Sequence, residues 1–279
     1  MKKIIALFMV VAMLFCLAGC GSDGQTASTT DTNAQANANA DGKKTIIVGY
    51  TIYEPMNYFE GEELVGYDTD LARKVFENLG YNVIFKEIKW ENKYTDLAAK
   101  NIDCIWNGFT CNTADDDGIQ RSEKVDFSYN YMENRQVIVV KKNSKIADKK
   151  DLSGKLASVE AGSAGESYAK SFDGVVVKQA KVQTACLLEV NSGAADFAVL
   201  DAQLAESYVG NGDYTNLKVV DALTSDVEYY AIGFEKNSEL TALVNAELEK
   251  LAAEGFMDEL AEKYPKVANS IIKDFSNQK

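Results

Sequence analysis

Short apolar runs alternate with helical patterns along this chain, and the alternation starts twice. "TIIVGY" (45–50) has the length and branching of a buried strand. "YDTDLARKVFENLG" then puts Leu71, Val75, Phe76 and Leu79 on one helical face, with Asp68 or Thr69 available as N-cap and Gly80 just past the end. "NVIFKEI" alternates as a strand, "NKYTDLAAK" suits a short helix, and "IDCIW" is again strand-like. The rhythm resumes with "QVIVVKK" (136–142), "KLASVEAG" leading into "SAGESYAKSF", and "VVVKQA" before "QTACLLEVNSG". "FAVL" then opens into "DAQLAESYV", and a further strand-like run, "YYAIGFEK", occupies 229–236. Two helices, "SELTALVNAELEKLAAEG" and "FMDELAEKY", end the pattern at Gly255 and Pro265. Two successive βα trains predict an α/β fold of two lobes, each a mostly parallel sheet flanked by helices. The simplest path crosses between lobes near 136–142 and returns near 229–236.

Composition removes several kinds of chemistry. The 279 residues contain no histidine, which excludes a Ser-His-Asp triad, a Cys-His pair and His-ligated zinc. The formal net charge is −13. Removing a leader that contains Lys2 and Lys3 gives 27 − 42 = −15. Nucleic-acid binding needs a basic footprint, so no nucleic-acid partner is expected.

The N-terminus reads as an export signal. Lys2 and Lys3 precede fourteen apolar residues, Ile4 to Leu17. That run spans roughly 21 Å as a helix, short of the ~30 Å hydrocarbon core. A charged start, a short apolar run and small residues at the end make a secretory signal, residues 1–19. "LAGC" resembles the bacterial lipobox, which implies lipid attachment at Cys20 and a membrane anchor. Residues 20–43 carry no large apolar side chain and are expected to form a flexible tether.

Of the remaining cysteines, Cys104 and Cys186 have apolar neighbours and read as small buried residues; with Cys111 they form an odd set without metal-like spacing. Free thiols are expected, a Cys104–Cys111 pair being the alternative. "EAGSAGE" (160–166) is neither a P-loop nor a GxGxxG, but a glycine-rich loop entering a helix presents free N–H groups. "TADDDG" (113–118) does not match an EF-hand: with Gly118 as position six, position twelve is Lys124. A solvated acidic loop is the simpler reading.

Six segments in order, behind the lipobox, resemble the extracellular solute-binding proteins that deliver amino acids to ABC importers. They are "ELVGYDTDLARKV", "IDCIWNGFT", "RSEKVDFSYNYMENRQVIVVKK", "GKLASVEAGSAGE", "AADFAVLD" and "YYAIGFEKNSEL…AEGFMDEL", covering roughly 44–265. The resemblance implies a periplasmic-binding-protein-like fold, two α/β lobes joined by a two-strand hinge around a ligand cleft. It divides the mature chain into 44–136 plus 232–279 for lobe 1 and 137–231 for lobe 2.

The same resemblance implies the site. Arg121 matches the family arginine whose planar guanidinium grips the ligand carboxylate, a simple loop ion pair with Asp115–Asp117 being the alternative. Asp201 matches the acid that takes the ligand ammonium, with a plain helix N-cap as the alternative. Gly108 and Thr110 match groups that hold the charged ends, and Ser163 and Ala164 match the second lobe's carboxylate contact. Tyr53 and Trp90 match aromatic platforms. Glu160 matches a variable pocket position and would favour a side chain carrying donors or positive charge. The chain departs from the family by Asn112 in place of a threonine and by about six extra residues, the Asp run included, before Arg121.

The implied partners are a free, polar amino acid, the permease subunits of an ABC transporter and, through Cys20, the outer face of the cell membrane. The resemblance implies a monomer with no cofactor, no metal and no catalysis. An amino-acid sensor module for a membrane receptor, and a dehydratase-like enzyme on the same fold with Glu160 as general acid, are the rival readings.

Overall fold

The computed structural model describes residues 42–278. The leader, Cys20 and nearly all of the expected tether lie outside them. In chain order the first part contains β1 (Lys44–Tyr50), the hairpin β2 (Tyr58–Glu60) and β3 (Glu63–Val65), α1 (Tyr67–Asn78) and β4 (Tyr81–Glu87). Then come α2 (Lys93–Ala98), β5 (Cys104–Ile105), α3 (Arg121–Lys124) and β6 (Asp126–Phe127). β7 (Met132–Asn134) leads to β8 (Gln136–Lys141), β9 (Leu156–Glu160), α4 (Ala164–Lys170) and β10 (Val176–Ala180). α5 (Gln183–Ser192), β11 (Phe197–Asp201), α6 (Ala202–Tyr208) and β12 (Leu217–Val219) complete that stretch. β13 (Glu228–Tyr230), β14 (Gly233–Phe234), α7 (Glu239–Ala253) and α8 (Phe256–Lys263) close the chain.

These elements form two five-stranded sheets, ordered β4-β1-β5-β14-β6 and β10-β9-β11-β8-β12. β4, β1 and β5 run parallel, and so do β10, β9 and β11; β14 and β8 are antiparallel to their neighbours. The two apolar-strand trains of the sequence therefore become two sheets. β7 and β13 pair antiparallel with each other and connect the sheets as a two-stranded ribbon. The outward passage thus lies at 132–134, while the run at 136–141 belongs wholly to the second sheet. The single strand expected at 229–236 is two, β13 in the ribbon and β14 in the first sheet.

Strand alternation builds the cores. In β8, Ile138 and Val140 face one apolar cluster, while Val137 and Val139 face another. A strand covered on both faces needs this continuous apolar run. In the first sheet, Ile46 and Val48 pack with Leu71, Val75 and Phe76 of α1 and with Val244 and Leu248 of α7. Ile105 turns the other way, onto Trp90, Phe109 and Val125. The C-terminal helices thus return to the first lobe, where α7 packs on α1.

α1 begins two or three residues earlier than its polar residues suggest, with Gly66 as N-cap. Asp68 is fully buried in the first turn, accepting from the Gly108 N–H at 2.7 Å and the Tyr131 hydroxyl at 2.9 Å. A tertiary partner outcompetes the local cap. Burial pushes its carboxyl up to about 7, against those two hydrogen bonds.

Leu71 is fully buried between α1 and the first sheet. Leu71→Ala should destabilise the protein by about 2–5 kcal/mol. Urea unfolding measures this, and a change below ~1 kcal/mol would contradict the packing described.

Candidate functional site

The carboxyl ends of the parallel strands in both sheets lead to one enclosed space. Tyr53 follows β1, Trp90 follows β4, and Gly108 and Thr110 follow β5; Glu160 ends β9 and Asp201 ends β11. Strand carboxyl ends are where open α/β sheets place their ligands, because the loops there are free to vary. Ser163 and Ala164 open α4, and Arg121 opens α3. All nine of these residues line a single narrow cavity, together with Asn107 and Gln183. None of the expected residues lies elsewhere.

Arg121 is the most constrained of them. Its side chain is 1% exposed, and its guanidinium lies over the Phe109 ring at 5.2 Å. Nε donates to Asp115 at 2.8 Å, Nη1 to the Thr110 carbonyl at 3.0 Å and Nη2 to the Gly162 carbonyl at 3.3 Å. Arginine has five N–H donors. Three are engaged by described residues, Nε and one N–H on each Nη, which leaves one further N–H on each Nη. The loop ion pair of Arg121 is therefore present, and the same side chain lines the cavity.

Asp115 corrects the picture of a solvated acidic loop. Its side chain is only 13% exposed. It accepts from Arg121, from Lys124 at 2.8 Å and from the Tyr94 hydroxyl at 2.7 Å. Burial opposes its ionisation, yet Arg121 and these donors hold its carboxyl down at about 2. Asp115 meets the guanidinium at its Nε edge, while the Nη groups donate to the Thr110 and Gly162 carbonyls.

Asp201 occupies the N-cap position of α6, but its side chain makes no capping bond. Its carboxylate instead accepts from Asn134 at 2.7 Å, from Gln136 at 2.6 Å and from the Gln183 amide. Three neutral donors orient the charge without neutralising it. Burial raises its pKa despite them. Glu228 shares the Gln136 amide at 2.9 Å and accepts from the Thr110 hydroxyl at 3.2 Å, and its pKa is also raised, by burial and by Asp201.

Glu160 is 3% exposed, and its Oε1 is buried without a hydrogen-bond partner. Burial, reinforced by Asp201, pushes its carboxyl up to about 8 although Lys93 opposes the shift. Lys93 is itself buried, donating to the Gly162 carbonyl at 2.9 Å and lying over the Tyr94 and Trp90 rings at 4.7 and 5.0 Å. Burial, then Arg121, lowers its pKa to about 7.

The walls are aromatic and tightly set. Trp90 meets Phe109 edge-to-face at 5.3 Å, and the Tyr53 and Tyr230 hydroxyls are 2.7 Å apart. Ser163 caps α4, its Oγ accepting from the Glu166 N–H at 3.1 Å. Gly108 has φ +57°, and a Cβ there would stand 2.7 Å from Tyr53 and 3.1 Å from Tyr230. Only glycine fits, for backbone and for space. Asn112, in the place of a family threonine, bonds the β13 segment instead, accepting from the Tyr229 N–H at 3.0 Å.

Asn107 and Gln183 escaped the sequence reading. Gln183 could have been found by the same rule as Asp201, since it follows the carboxyl end of β10; Asn107 sits inside the quoted "IDCIWNGFT". The three cysteines are free thiols, Cys104 and Cys186 buried and Cys111 partly exposed. Among the described residues no group of His, Cys, Asp and Glu could hold a metal ion.

Residues 46–267 match the model of the bacterial extracellular solute-binding proteins, family 3. The chain belongs to this family. Its similarities extend over nearly its whole length. The arginine-binding extracellular protein ArtP of Bacillus subtilis (strain 168) is 29% identical over 95% of this chain and 98% of its own. The L-cystine-binding protein TcyA of the same organism is 28% identical over 94% of this chain and 97% of its own. Among solved structures, the arginine-, lysine-, histidine-binding protein ArtJ from Geobacillus stearothermophilus superposes with a TM-score of 0.72 at 28% identity. That superposition covers 85% of this chain and all of the other. The fold is thus that of the periplasmic amino-acid-binding proteins.

Two outcomes follow from the site's geometry. Gly108→Ala should cost about 1–3 kcal/mol, read by chemical denaturation; an unchanged midpoint would mean the loop relaxes freely. Glu160 has a pKa raised from 4.5 to about 8 in the folded chain, so folding takes up a proton between those values. Its contribution to stability therefore falls as pH rises from about 5 to 8. Glu160→Gln should flatten that part of the stability–pH curve, and superimposable slopes would refute the assignment.

Proposed function

We propose that this protein captures one free amino acid between its lobes and delivers it to the permease of an ABC importer at the outer face of the cell membrane. The observation that carries the reading is one cavity lined by both the buried guanidinium of Arg121 and the amide-fixed carboxylate of Asp201. A zwitterion needs both poles. Removing its charges from water costs several kcal/mol per ion, which only charged, hydrogen-bonded partners offset.

In this reading the two free Nη donors of Arg121 take the ligand carboxylate, with Ser163 and the Ala164 N–H as second-lobe contacts. Asp201 takes the ammonium, helped by Gly108 and Thr110, while Tyr53 and Trp90 wall the side chain. The division into lobe 1 (44–136 plus 232–279) and lobe 2 (137–231) is supported by the β7–β13 ribbon between the sheets, with Gln136 moved to lobe 2 as the first residue of β8. Closure about that ribbon is favoured by ligand because only the closed form offers contacts from both lobes at once. The leader (1–19), the lipid at Cys20 and the tether to residue 43 would keep a monomeric receptor beside its permease. Binding rather than catalysis is supported by the relatives, which are solute-binding proteins.

The unpaired Oε1 of Glu160 favours a ligand side chain that carries donors or positive charge. Basic amino acids fit it best, and the arginine- and histidine-binding relatives agree with that choice.

Arg121→Ala and Asp201→Ala should each weaken binding by about 2–5 kcal/mol, some 30- to 4,000-fold, with unfolding still cooperative. Calorimetry with a panel of free amino acids and cystine tests this, and near wild-type affinity in both variants would sink the site. The panel also reads Glu160. Closure over an uncharged side chain should take up a proton near pH 7, so that affinity falls toward pH 8; closure over a cationic one should not. Equal proton uptake for both ligand types would remove Glu160 from the pocket's selectivity.

A further inference from the structure

The acidic loop before Arg121 joins the two lobes. It is a small hairpin of its own: Ala114 bridges Gln120, the Asp115 N–H donates to the Ile119 carbonyl at 3.0 Å, and the Arg121 N–H donates to the Thr113 carbonyl at 3.1 Å. Its three aspartates face three different ways. Asp115 turns inward to Arg121, and Asp117 pairs with Lys124 at 2.8 Å. Asp116 alone reaches the other lobe, pairing with Lys170 on α4 and accepting from the Ser167 hydroxyl at 3.4 Å. The same hydroxyl contacts the Ala114 carbonyl at 3.3 Å.

The connection continues beyond Lys170. That ammonium also pairs with Glu166 at 2.7 Å, and Glu166 accepts from the Gly162 N–H at 2.7 Å. The Gly162 carbonyl in turn accepts from Nη2 of Arg121. The contacts therefore close a ring: Arg121, Asp115, Asp116, Lys170, Glu166, Gly162 and back to Arg121. The ring crosses the seam between lobes twice, and it passes through the guanidinium.

We propose that Asp115 and Asp116 are positioning residues for Arg121. Asp115 fixes the guanidinium so that its Nη donors face the cavity, and Asp116 locks the loop to α4 once the lobes meet, prolonging the closed state. The inference rests on the reading of the site as an amino-acid cleft. An isolated exposed pair contributes little, and Asp116 and Lys170 are both partly exposed, so the effect of the lock on lifetime is modest and salt-sensitive. Asp115 is mostly buried and carries more.

The experiment uses the full chain with L-arginine as probe. Asp116→Ala and Lys170→Ala should each speed dissociation about two- to fivefold in stopped flow, and the double variant should be no faster than the faster single one. Asp116→Ala should also lose most of the salt dependence of that rate, while its urea midpoint stays that of wild type. Asp115→Asn should weaken binding about tenfold, with partial recovery in Asp115→Glu. Additive single effects, or unchanged rates, would overturn the lock.

A second measurement separates this inference from the function it rests on. Spin labels at exposed Glu77 and Asp173 report the distance between lobes in ligand-free protein. Asp116→Ala should reduce the short-distance population. If L-arginine and the amino-acid panel fail to bind while that population still shifts, the functional reading falls and the lock stands. If ligand binds but neither rate nor distance responds, the lock alone falls.

Discussion

A buried guanidinium with three hydrogen-bonded partners organises this molecule. Arg121 is buried, stacked on Phe109, and tied to Asp115, to Thr110 and to Gly162 of the opposite lobe. A charge in such a place would be costly without partners, which come from the segment just before it and, through Gly162, from the second sheet's side. The two sheets, the hairpin loop and the entry to α4 must all be in register before the group is satisfied. The site is thus a consequence of how the lobes meet.

The opposite pole follows another logic. Asp201 is surrounded by amides from Asn134, Gln136 and Gln183, donors that fix its direction and leave its charge intact. Glu160 and Glu228 stand in the same region with raised pKa values, burial being the first cause in each. Around Arg121 the cations Lys93 and Lys124 alternate with Asp115 and Asp117, which pair with Lys124.

Much of this was legible in the residues. The paired βα trains predicted two sheets, because a strand buried on both faces must be apolar throughout, as Val137 to Val140 are. The nine expected site residues converge because strand carboxyl ends share one edge. Other features were hidden for physical reasons. Asp68 reads as a helix cap but is claimed by Gly108 and Tyr131, partners about 40 and 63 residues away that local pattern cannot register. The run at 229–236 divides between ribbon and sheet because the chain must change lobes there. The Asp run looked solvated because an acidic triplet gives no sign that one member points inward to the arginine six residues on.

The Gly162 carbonyl receives both Lys93 and Arg121 across the seam. An acceptor made of main chain has no codon of its own. Descendants of this protein can exchange the walls around the guest, and with them its taste for one metabolite over another, while the seal remains. The acceptor half of that seal is a carbonyl that any residue at position 162 carries, whereas its donors, Lys93 and Arg121, do not survive their own replacement.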